Sequence, residues 1–105
     1  MTHPRPRRGS GCRRLGRAAE LDAEQELRED GALLVVRPQG SKGLFDLVAV
    51  YPTFVRLIQV KSFTARCGDA QRPALRQAAA SLPPTCCVEL WTRRAGATEF
   101  RKETF

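Results

Sequence analysis

Two strand-like runs in this chain are interrupted by charge. In "LFDLVAVY" (44–51), Asp46 stands among leucine and valine; in "FVRLIQVKSF" (54–63), Lys61 follows Gln59 by two residues. Side chains alternate across a strand, so Leu57, Gln59 and Lys61 are expected on one face and Arg56, Ile58 and Val60 on the other. By the same rule Leu44, Asp46, Val48 and Val50 share a face of the preceding strand. A carboxylate and an ammonium in such settings are costly unless they pair, ligate a metal, or lie at the end of a sheet. Two chemistries fit these residue types: a plain Asp46–Lys61 ion pair, or an oxygen-donor site for a divalent cation with a lysine beside it. From the pattern alone the two are level.

The elements that would place these residues follow from periodicity. Residues 1–13 hold Pro4, Pro6, Gly9 and Gly11 with little to bury, which predicts a flexible basic arm. From Arg14 to Asp30, Leu15, Ala18, Ala19, Ala23 and Leu27 recur at spacings of three and four, which predicts a helix closed by Gly31. Three β-type runs come next, at 32–37, 44–51 and 54–63, the last two joined at Pro52-Thr53 in an antiparallel hairpin. Asp69 is a plausible N-cap for a second helix that tolerates Pro73 in its first turn and ends at Pro83-Pro84. "CCVELWTRR" (86–94) reads as a fourth strand and "TEFRKETF" (98–105) as a short edge strand beyond a turn at Gly96. The order is α-β-β-β-α-β-β, one small domain at 14–105 with a mixed sheet flanked by helices.

Charge narrows the partners. Six of the 18 basic residues lie in residues 1–19, which contain no acid, while residues 20–30 are strongly acidic. A basic arm on a mildly basic body, net charge +7, points to a polyanion, nucleic acid first. The alternative is a solvated, solubilising tail. The chain has no run as long as a membrane span and no signal-peptide pattern, so a cytoplasmic protein is expected. Cys12, Cys67, Cys86 and Cys87 form no C-x-x-C pair, and His3 is the sole histidine. Reduced, partly buried thiols are expected rather than a zinc site.

Four ordered segments resemble the archaeal-type Holliday-junction resolvases of the PD-(D/E)XK nuclease superfamily. "RLGRAAE" (14–20) resembles the opening motif of a basic residue, glycine and helix glutamate, and "LLVVR" (33–37) the first strand ending in arginine. "GSKGLFDLVAV" (40–50) resembles the Gly-Ser loop leading to the metal-binding aspartate, and "RLIQVKS" (56–62) the Glu-x-Lys strand. The similarity is strong over residues 14–63 and weaker beyond.

The resemblance implies a restriction-endonuclease-like α/β (α+β) fold and Mg²⁺- or Mn²⁺-dependent hydrolysis of phosphodiester bonds in branched, four-way DNA. It further implies a homodimer and no organic cofactor. Asp46 would be the central metal ligand, Glu20 an outer ligand, and the Val60 carbonyl a backbone ligand; Lys61 would orient the attacking water. Arg14, Arg17, Arg37, Ser41 and Lys42 would contact DNA. Gln59 stands where the family has an acid. An amide oxygen still coordinates a hard cation but removes one negative charge. The site would then work with weak metal binding, prefer manganese, or survive only as a DNA-binding module on the same fold. Leu21 in place of a basic residue after Glu20, and the alanine-rich "AQRPALRQAAASL" (70–82), are further departures. A related bacterial nuclease-like group with a Leu-Gly-Arg…Glu helix ranks second, because its Gly-Glu-Ile-Asp loop differs from "GLFD" here.

Overall fold

A computed structural model describes residues 4–38, 43–63 and 71–105, with side chains in the first helix described from Arg17 onward. Helix α1 spans Pro4–Glu29 and is followed by β1 (Leu34–Val36), β2 (Leu47–Val50) and β3 (Val55–Phe63). Helix α2 (Arg72–Ser81), β4 (Cys86–Arg94) and β5 (Arg101–Thr104) complete the chain. The five strands form one mixed sheet in the order β1-β2-β3-β4-β5. Pairing is antiparallel throughout except between β3 and β4, which are parallel because α2 carries the chain across. The architecture is α+β, a five-stranded mixed sheet with helices packed on it as the sequence predicts, and is broadly consistent with a restriction-endonuclease-like core.

Helix α1 begins well before the apolar stripe does. Residues 4–13, read from the sequence as a flexible arm, have helical backbone continuous with it. Pro4 and Pro6 fall in the first turn, where the missing N–H groups would have no intrahelical partner anyway. The far end closes as foreseen. Gly31 takes φ +104°, its N–H donates to Arg28 O (3.1 Å), and Ala32 N–H donates to Leu27 O (3.1 Å). These two bonds are the Schellman closure, and the positive φ is why glycine occupies the position.

Ala19, Ala23 and Leu27, spaced four apart, are the fully buried side of α1. Ala18, assigned to the same stripe from sequence, is exposed. The buried residues pack on Leu47, Ala49, Ile58, Val60 and Trp91 of the sheet. On the opposite face Leu75 of α2 packs on Val88 and Leu90, with Leu57, Leu44 and Phe45 around them. Arg56, Ile58 and Val60 thus face α1 while Leu57 faces α2, the alternation expected of β3. The alternation expected of residues 44–46 fails: Leu44 and Phe45 both join the α2-side cluster, and β2 starts only at Leu47. The N-cap of α2 is Gln71, with no side-chain cap; Asp69 lies outside the described residues. Among the described residues no helix is long and apolar enough to cross a membrane.

Candidate active site at the splayed end of the sheet

Strand β3 is nine residues long, but its pairing with β2 ends at Leu47↔Ile58. From Gln59 to Phe63 it continues beside β4 alone. Lys61 is therefore exposed although it belongs to a central strand. The sheet end, one of the settings in which charge is tolerable, is where the sequence's two interruptions meet.

Asp46 makes the junction. Its N–H donates to Ile58 O (2.9 Å), one residue out of step with the Leu47–Ile58 pairing, a bulge-type irregularity of the kind that re-aims a side chain. Its Oδ2 accepts from Val60 N–H at 2.8 Å. The carboxylate thus substitutes for the strand that has ended, and one aspartate straddles Gln59 by bonding on either side of it. In an extended strand the N–H and C=O of one residue point the same way, so the Val60 carbonyl is directed toward the same edge.

The electrostatics show what converges. Burial pushes the Asp46 carboxyl up from its ordinary value, opposed by the Val60 N–H and by the Lys61 ammonium. Burial also raises Glu20, and repulsion from Asp46 raises it further, with Arg37 and Arg17 opposing. Two carboxylates from separate elements, α1 and the approach to β2, therefore act on each other, with Lys61, Arg37 and Arg17 in range. Gln59 Oε1 is shut off from solvent and accepts no hydrogen bond among the described residues. A buried acceptor left bare carries a penalty of about 1–3 kcal/mol. It is the donor type a hard cation takes, as are the Glu20 and Asp46 carboxylates. No group of three His, Cys, Asp or Glu side chains that could hold a metal ion forms among the described residues.

The residues assigned to DNA contact are placed unevenly. Arg37 lies just past β1 and its Nε donates to Glu24 Oε1 (3.1 Å), whose other oxygen holds Arg28 NH2 at 2.6 Å. Arg17 is exposed on α1. The Arg14 side chain, Ser41 and Lys42 lie outside the described residues.

A second charged cluster escaped the sequence reading. Arg56 donates to both Glu89 oxygens (2.7 Å each), Trp91 Nε1 donates to Glu89 Oε1 (2.8 Å), and the guanidinium lies 5.4 Å from the Trp91 ring centroid. The pair is mostly buried, and Glu89 holds the Arg56 pKa above its already high ordinary value. The available signal was Glu89 between Val88 and Leu90, an acid inside an apolar strand just as Asp46 is. The difference is that Glu89 is fully hydrogen-bonded by its neighbours, so it anchors β3 to β4. Two clefts of about 330 and 370 Å³ run along the second half of α1, both bordered by Glu26 and Glu29. Neither is lined by Glu20, Asp46, Gln59 or Lys61. Comparison with models of known protein families and with curated proteins returns no match for this chain.

Proposed function

We propose that the chain is a metal-dependent, structure-selective DNA endonuclease of the Holliday-junction resolvase type, hydrolysing phosphodiester bonds in branched DNA as a homodimer. The observation that carries this reading is the electrostatic coupling of Glu20 to Asp46 and of Asp46 to Lys61 at an open sheet end, next in the chain to a Gln59 oxygen that is buried and bare among the described residues. Glu20, Asp46, Gln59 Oε1 and the Val60 carbonyl would hold one divalent cation. When bound, Mg²⁺ or Mn²⁺ supplies charge neutralisation at the phosphate and lowers the pKa of a water.

The protein's own groups do the rest. Asp46 is fixed by two backbone bonds to β3, so its carboxylate is preorganised rather than mobile. Lys61, exposed at the mouth, donates to the attacking water and to the phosphoryl oxygens as charge develops on them. In the displacement, a water oxygen bonds to phosphorus and gives up its proton to solvent, while the bond to the leaving deoxyribose oxygen breaks and that oxygen takes a proton from solvent. Arg17 and Arg37 at the rim attract the backbone, and the basic stretch of α1 extends that field along the helix axis.

A second reading rests on Gln59 itself. With two carboxylates rather than three the cage is one negative charge short, which favours a DNA-binding module that cuts weakly or not at all. A labelled four-way junction incubated with Mg²⁺ and with Mn²⁺ separates the two. The endonuclease reading expects nicking that Asp46→Ala abolishes and Gln59→Glu preserves or raises. Tight junction binding without cutting in either metal would leave the binding module standing alone.

A further inference from the structure

The two edges of the sheet are built on opposite principles. At one edge β5 presents Arg101, Lys102 and Glu103, the charged kind of edge strand that discourages pairing with another chain. At the other edge β1 reads Leu34-Val35-Val36 and contains no charge, proline or bulge-forming glycine. Its apolar side chains are largely in solvent: Leu33 is 68 %, Leu34 53 % and Val36 40 % exposed. The face they lie on continues inward. Leu34 is paired with Val50 and Val36 with Val48, and both valines are only half-buried. Helix α2 packs over Leu57, Val88 and Leu90, farther across the sheet. Val35 points the other way, into the core beneath α1.

We infer that β1 pairs with β1 of a second copy of this chain, antiparallel about a two-fold axis through Val35, joining two five-stranded sheets into one of ten. The sequence of the strand selects that occupant. In an isologous contact every residue meets its own kind or a near neighbour, so a charge near the axis would face a like charge. A chain of net charge +7 repels its copy almost everywhere, and β1 is uncharged. Centred on Val35, the register sets Leu34 of one copy opposite Val36 of the other and Leu33 opposite Arg37. That keeps the two arginines apart and extends the Leu34–Val36–Val48–Val50 face across the axis. This inference gives the homodimer of the proposed function its interface and in that respect rests on that reading, while its evidence is the edge asymmetry and its test needs neither DNA nor metal.

Sedimentation equilibrium on the full-length protein, without DNA or metal, tests it. Wild type is expected at twice the monomer mass, with association retained at 0.5 M NaCl. Leu34→Lys and Val36→Lys, each placing like charges across the axis at already exposed positions, are expected to sediment as monomers. Their circular dichroism and melting temperature should match wild type, which separates lost pairing from lost folding. As a second measurement, amide hydrogen exchange at Leu34–Val36 should slow with rising protein concentration in wild type and not in the lysine variants. A monomer throughout the micromolar range overturns the inference. So does a dimer that both lysine variants retain, since the contact then lies elsewhere, or one dissolved by salt, since charge then holds it.

Discussion

Asp46 costs the fold something in its free form, and the cost has a sign. Both Asp46 and Glu20 have pKa values raised in the folded chain, mainly by burial. A raised carboxylate contributes stability that is present below its unfolded pKa and is lost as pH rises through its folded one. Near neutral pH these two groups therefore work against folding. Asp46→Asn keeps an oxygen to accept from Val60 N–H and removes the charge. It is expected to melt higher than wild type at pH 7, with the gap closing as pH falls below the ordinary carboxylate range. Equal melting curves at both pH values would show that the aspartate is not held in a desolvated position. Most of this residue was readable beforehand: an acid inside an apolar run is expensive, and that alone marks it. Its bulge was not readable, because the point at which β2 ends is set by the partner strand and by Leu44 and Phe45 turning together into the α2-side cluster.

Among the elements, α1 does the positioning, since it alone brings Glu20 to the sheet end. Its docking rests on Ala19, Ala23 and Leu27, and on the Gly31 closure that returns the chain to β1. Leu27→Ala removes the one large fully buried side chain on the described part of the helix and should destabilise by about 3 kcal/mol in chemical denaturation. A loss under about 1 kcal/mol would mean that α1 is held by something other than this stripe. Helices, strands and turns announced themselves through spacing, Gly31 and Pro52-Thr53. The length of α1 did not, because "PRPRRGSG" (4–11) carries no apolar period from which to read a helix. Likewise the Arg56–Glu89 pair is invisible in one dimension: it joins residues 33 apart, brought together only by the parallel pairing of β3 with β4.

At the scale of the whole molecule the charge is polarised along α1, basic toward its start and acidic toward its end. That order opposes the helix macrodipole, so it does not serve the helix. The acids are engaged: Asp22 with Arg93, Glu24 with Arg28 and Arg37, Glu26 with Lys102. The arginines of the first stretch have no acid near them in the sequence before Glu20, which makes that stretch the expected seat of a polyanion. Removing residues 1–13 takes away Arg5, Arg7, Arg8 and Arg13. In metal-free buffer this should flatten the dependence of log K on log salt for a four-way junction by about three to four. An unchanged slope would place DNA on some other surface.

The central claim is that groups far apart in the chain share one cation, and Mn²⁺ binding measured calorimetrically tests it without relying on turnover. Wild type is expected to bind one Mn²⁺ per chain. Glu20→Gln, altered on a different element from Asp46, should weaken that binding by about tenfold or more, as loss of an outer ligand does. Binding that Glu20→Gln leaves unchanged, or no binding by wild type at millimolar Mn²⁺, would contradict the account.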